Sequence, residues 1–180
     1  MRINTGKYKG RLIKMPSGIR PTQDKVRKAL FDILGGVEGL NFLELFAGSA
    51  SVGIEALSRG VSNLVVVEAS PACRQAIKNN MAALGIIDYE LCPMEADKAV
   101  GKFCSAGKKF DIIFLDPPYY REMAKKTLQM LGAYDILAPN GFVISQHFKK
   151  DLLPEIAGSL TRFREAVYGD TVLSFYRKEG

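Results

Sequence analysis

Short runs of apolar residues alternate along this chain with stretches whose apolar positions recur at helical spacing. "NFLELF" (41–46), "NLVVVE" (63–68), "IDYELC" (87–92), residues 110–116 and residues 141–147 read as strands. Between them, "SVGIEALSRG" (51–60), "PACRQAIKNNMAALG" (71–85), a short stretch over 95–103 and residues 121–132 read as helices, the second opened by proline. Upstream, Val26, Ala29, Leu30, Ile33 and Leu34 fall at i, i+3, i+4, i+7 and i+8. That spacing predicts one helical stripe, with Thr22 as N-cap and Gly35-Gly36 as stop. Ile3, Tyr8, Leu12 and Ile13 flank Thr5-Gly6-Lys7 as a short β-hairpin, and a second hairpin centres on Tyr168-Gly169-Asp170.

Unbroken Val/Ile/Leu strands separated by helices indicate an α/β fold, with a mostly parallel sheet covered on both faces. The late pair joined by so short a turn cannot be parallel, so one late strand runs antiparallel. "IDYELC" is more polar than the others and belongs nearer an edge. The 180 residues are 47% hydrophobic, which suits a single domain over 1–180 with a full core. No run of eighteen apolar residues occurs, and the first residues, "MRINTGKYKGRLIK", contain no apolar segment of the secretory kind.

Charge changes this picture at one end. The net charge is +6, yet residues 1–28 hold nine Lys and Arg against the single acid Asp24, leaving −2 for the remaining 152 residues. Residues 1–20 therefore read as a basic hairpin or arm. Arg2, Lys7, Lys9, Arg11, Lys14 and Arg20 are its candidate contacts to a polyanion such as RNA. The plainer alternative is a solvated terminus. Cys73, Cys92 and Cys104 lack C-x-x-C spacing, and His147 is the only histidine. These residues suggest free thiols in a reducing cytoplasm and no metal site. The sequence leaves the oligomeric state open, and a monomer is compatible with it.

Candidate chemistry collects at strand ends, where open α/β sheets bind ligands. Glu44 lies near the end of the first strand, Glu68 ends the second, and Asp116 ends the fourth. The turn "ELFAGSASVG" is built from small residues, so backbone can approach a ligand at the following helix N-terminus. It is not G-x-G-x-x-G, and no G-K-[ST] occurs anywhere. Glu68 follows Glu44 by 24 residues, a placement suited to the two hydroxyls of a ribose. The turn carries no Lys or Arg, which favours a nucleoside cofactor without phosphates.

"FDIIFLDPPYY" (110–120) supplies the complementary half. Pro117 and Pro118 have no N–H, and ionised Asp116 only accepts, so the turn offers acceptors beside aromatic rings. Such a site suits a planar group bearing an amine: Tyr119 stacks on the ring while Asp116 and the Pro117 carbonyl take the amine hydrogens. Those bonds localise a lone pair otherwise delocalised into the ring. A merely structural Pro-Pro turn packed by tyrosines is the competing reading.

"RPTQDKVRKALFDIL", "LELFAGSASVGIEALSRG", "VVVE" and "DIIFLDPPYY", in this order and over nearly the whole chain, resemble the RsmD family of bacterial 16S rRNA guanine-N2 methyltransferases. These are class I S-adenosylmethionine-dependent enzymes. The resemblance implies a Rossmann-like, seven-stranded sheet with one antiparallel strand. It implies that Glu44, Phe46, Ala47, Gly48 and Ser49 shape the methionine end of the cofactor site, that Glu68 holds the ribose, and that Glu95 and Ala96 face the adenine. Asp116, Pro117, Pro118 and Tyr119 become the catalytic loop, with Asp116 also near the cofactor, and Thr22 lies in a segment closing over it. The implied partner is ribosomal RNA or an assembling small subunit, with neither membrane nor metal. Ala50 replaces the family's usual glycine, and Gln146 stands where an acid is expected. Two other readings remain open here: an adenine-N6 DNA methyltransferase, and a catalytically silent RNA-binding assembly factor.

Overall fold

A computed structural model describes residues 1–16, 23–118 and 122–179, which form two compact units, Met1–Met94 and Glu95–Gly180. The first unit contains α1 (Asp24–Leu34), β1 (Asn41–Leu45), α2 (Ser51–Ser58), β2 (Asn63–Val67), α3 (Pro71–Leu84) and β3 (Glu90–Cys92). Its strands run parallel in the order β3-β2-β1, with Asn41 beside Asn63 and Val67 beside Cys92. All but the first residue of β1 and of β2 is buried, as strands covered on both faces require. The polar third strand is short and takes the outer position in this unit, as its composition suggested.

The second unit contains α4 (Ala96–Ser105), β4 (Phe110–Leu115), α5 (Met123–Ala133), β5 (Leu137–Phe148), β6 (Ile156–Ala157), β7 (Leu160–Tyr168) and β8 (Thr171–Lys178). Its strand order is β4-β5-β8-β7-β6. β4 and β5 are parallel, while β8 runs against β5 and pairs with β7 across the two-residue turn Gly169-Asp170. The described residues thus hold eight strands where seven were expected. The addition is β6, two residues that extend the edge beyond β7.

Two expectations for the N-terminal region need correction. The face that α1 buries is Val26, Arg27, Leu30 and Phe31, so the apolar stripe is rotated from the one its spacing suggested. Arg27 joins that face through ion pairs. Arg27 is 0% exposed, with its Nε 3.5 Å from Glu55 Oε2 and its Nη2 donating to Asp24 Oδ1 at 2.8 Å and to the carbonyl of Arg2. Burial pushes the guanidinium pKa down while Glu55 and Asp24 pull it back up. Thr22, the expected N-cap, lies outside the described residues; α1 starts after Gln23 without a side-chain cap.

The N-terminal hairpin is a loop closed by a single bridge, Arg2 to Leu12, rather than a paired ribbon. It packs onto α2. Glu55 accepts from Asn4 N (2.8 Å), Thr5 N (3.1 Å) and Arg59 Nε (3.0 Å), and Lys7 N donates to Ser58 O at 2.8 Å. Gly6 has φ +83°, and a Cβ there would sit 1.6 Å from Ser58 O, so only glycine fits. Ile3 and Ile13 are buried, while Arg2, Lys7, Lys9, Arg11 and Lys14 are exposed. The segment is a docked layer with its cations outward. Asn80 clips its far end, pairing with Lys14 N and O at 2.9 Å each and reaching Ser49 O at 3.3 Å.

Candidate active site

In the first unit, the turn between β1 and α2 holds the small residues that the sequence singled out. Phe46, Gly48 and Ala50 all have φ +58°, so the turn needs three left-handed residues within five positions. Ala50 is fully buried and serves as the N-cap of α2. A glycine would adopt that backbone without steric cost, which explains glycine's usual place there. Ala47 and Ser49 are buried; Phe46 and Gly48 are partly exposed.

Two strand-end acids of this unit brace the turn from either side. Glu44, 3% exposed, accepts from Gly53 N at 2.8 Å, satisfying a first-turn N–H of α2. Gly53 has no room for more: a Cβ would lie 2.6 Å from Glu44 Oε2 and 2.9 Å from Leu64 Cδ1. Glu68, half-buried just past β2, accepts from Gly48 N with Oε2 and from Ser70 N with Oε1, both at 2.8 Å. Each carboxylate oxygen thereby keeps a second lone-pair direction, enough to accept from two adjacent hydroxyls. The loop also lacks a cation to neutralise phosphate. The residues fit a nucleoside cofactor.

In the second unit, Asp116 follows β4 directly and is half-buried, Pro117 is buried and Pro118 exposed. Tyr119 lies outside the described residues, as do Arg20 and Thr22. Gln146, on β5, donates from Nε2 to Asp116 Oδ2 at 2.8 Å and fixes the carboxylate beside the proline turn. Glu95 is exposed as N-cap of α4, and Ala96 is buried in its first turn.

A cleft of about 440 Å³ opens beside this loop, walled by Pro117, Pro118, Met123, Gln146, His147 and Leu153. Burial pushes the His147 imidazole below its ordinary pKa and keeps it neutral. Its Nδ1 lies 3.0 Å from Phe148 O and its Nε2 2.9 Å from Ser174 Oγ. With both nitrogens occupied, His147 is a wall of the cleft and not its acid or base. The sequence reading missed Gln146 and the cleft. Their one trace was an amide where an acid was expected.

The sequence model of the family described as "Conserved hypothetical protein 95" matches residues 1–177. The chain belongs to that family. Ribosomal RNA small subunit methyltransferase D of Escherichia coli is 30% identical over 99% of this chain and 90% of its own length. The solved structure of yhhF from Escherichia coli superposes with TM-score 0.87 at 29% identity, covering 99% of this chain and 98% of that one. The protein SMU.776, solved in complex with SAH, shares the fold at TM-score 0.67 and 20% identity, over 88% of this chain and 50% of that one. The family is thus RsmD-like, and its fold is the expected class I methyltransferase α/β sheet. No helix among the described residues is long and apolar enough to cross a membrane.

Proposed function

We propose that this protein transfers the methyl group of S-adenosylmethionine to the exocyclic N2 amine of a guanine in 16S rRNA, as a single cytoplasmic catalytic domain. The observation that carries the reading is the acceptor-only turn Asp116-Pro117-Pro118, its carboxylate held by Gln146 beside a cleft. When bound, the cofactor supplies an electrophilic methyl group on a sulfonium. Glu68 would hold its ribose, the Phe46–Ser49 turn its methionine end, and Glu95 and Ala96 its adenine.

Asp116 and the Pro117 carbonyl accept the two amine hydrogens, drawing the guanine N2 toward tetrahedral geometry and localising its lone pair. Bound S-adenosylmethionine would offer its methyl carbon to that pair, and its sulfur would leave as a neutral thioether with the C–S bonding electrons. The amine then gives up one proton, for which Asp116 is the acceptor in reach. Tyr119 stacks on the base and orients the lone pair. The exposed cations Arg2, Lys7, Lys9, Arg11 and Lys14 supply phosphate contacts that position the RNA, with Arg20 completing the set. A base in an RNA loop is already unstacked, which lowers the cost of inserting it.

The test is incubation with labelled cofactor and, separately, small ribosomal subunits, naked rRNA and duplex DNA, followed by nucleoside mass spectrometry. The expected product is N2-methylguanine from RNA. Label recovered as N6-methyladenine from DNA, with none in RNA, would overturn the reading.

A further inference from the structure

Gln146 is 4% exposed and belongs to the wall of the cleft. Its two polar atoms have different fates. Nε2 donates to Asp116 Oδ2, while Oε1 is buried without a hydrogen-bond partner among the described residues. The amide cannot be turned over to relieve this, because Oε1 would then face the carboxylate oxygen, acceptor against acceptor. Asp116 thus dictates that Gln146 keeps an acceptor in reserve. Leaving a buried amide oxygen unpaired is costly, and a ligand N–H would remove that cost.

The charges around the cleft narrow what that ligand is. Its charged lining comprises Glu122, Lys125, Lys150 and Asp151, two of each sign. A cleft with no net charge is poorly suited to a phosphate and well suited to a neutral base. Its volume of about 440 Å³ lies within the roughly 300–1,000 Å³ of small-ligand sites.

From this geometry we infer that Gln146 reads the target base: its Oε1 accepts the N1–H of guanine while Asp116 and Pro117 accept from the neighbouring amine. This rests on the guanine-N2 reading above and adds to it the residue that enforces the choice. Guanine presents N1–H and N2–H donors side by side along one edge, and the hydrogen-bonded pair Gln146 and Asp116 carries one acceptor for each. Adenine carries a bare N1 lone pair next to its amine. It would face Oε1 acceptor to acceptor and leave the amide oxygen unpaired. Gln146 is in this sense a specificity-determining residue, and through Nε2 it also positions the carboxylate.

The test first locates the methylated guanine by mass spectrometry. An rRNA fragment is then rebuilt with 2,6-diaminopurine at that position, which keeps the C2 amine but replaces N1–H with a bare acceptor. The wild-type protein should prefer guanine over diaminopurine in kcat/KM by roughly 10- to 100-fold, the worth of about one such contact. Gln146→Met, which keeps the volume and removes the acceptor, should shrink that preference to within a few-fold, with cofactor affinity by calorimetry unchanged. An undiminished preference in Gln146→Met would overturn the inference while leaving the guanine reading intact. Failure of the wild-type protein to form N2-methylguanine would instead sink the reading beneath it, and is seen at the first step.

Discussion

The turn after β1 and the turn after β4 begin alike, from strands buried on both faces, and are then built on opposite principles. The first draws its acids inward. Glu44 and Glu68 accept from Gly53 N, Gly48 N and Ser70 N, and so brace a turn whose left-handed residues are Phe46, Gly48 and Ala50. The second omits two backbone donors, with two prolines after Asp116 and a glutamine whose oxygen has no partner among the described residues. A carboxylate at a strand end is thus not one kind of object. In the β1 turn it braces backbone N–H groups; in the β4 turn it is held by a side chain beside a cleft, which under the proposed function lets it meet the substrate amine.

That contrast is broken most severely by Asp116→Ala. Turnover should fall by about a thousandfold, the scale of losing a preorganised contact to the reacting group, and cofactor affinity should stay near wild type. Single-turnover methyl transfer with parallel calorimetry reads both; equal loss of binding would show that Asp116 belongs with the bracing acids. Glu68→Ala should do the reverse. It removes the proposed ribose contact together with the support of Gly48 N and Ser70 N, weakening cofactor binding by about 2 kcal/mol and lowering unfolding stability by about 1–3 kcal/mol. A binding loss without a stability loss would mean that the bonds to the turn are incidental.

Gly53→Ala tests the brace without touching either acid. Its Cβ would press on Glu44 Oε2 and Leu64 Cδ1, and overpacking of this kind costs about 1–3 kcal/mol. Urea unfolding should show the loss, with cofactor affinity reduced in step; the Asp116 loop has no corresponding sensitivity. The smallest effect is expected away from both turns. Replacing Lys7, Lys9 and Lys14 by Ala should flatten the slope of log K for RNA against log salt by about 2, at roughly 0.7 per phosphate of a single strand. Cofactor binding should not change, and an unaltered slope would make the hairpin's cations mere solvation. Point substitutions are the right tool here. Deleting the segment would take the buried Ile3 and Ile13 out of the core and strip Glu55 of two donors, so the fold itself would suffer.

Much of the architecture was legible because its signals are local. Strand runs, the proline that opens α3, the two-residue turn at Gly169-Asp170 and the order of motifs each depend on residues within a few positions of one another. The acids at strand ends and the donor-free Asp-Pro-Pro turn were legible for the same reason. The failures share a cause too. The face of α1 was misjudged because a stripe count treats every arginine as solvent-facing, and nothing in the helix announces an acid 28 residues further on.

Residue chemistry and short-range spacing decided that this chain is an α/β protein, that its turn after β1 suits a nucleoside cofactor, and that its turn after β4 can hold an amine. Partnerships between distant residues were decided by the fold. Glu55 gathers Asn4, Thr5, Arg27 and Arg59, so the basic segment becomes a packed layer instead of a loose arm. Gln146 meets Asp116 across 30 residues, and the pairing turns an unremarkable amide into an acceptor held in reserve. The physical reason is that a polar side chain's role depends on which of its atoms remain unpaired after burial, and pairing is settled only when the strands carrying the partners lie side by side.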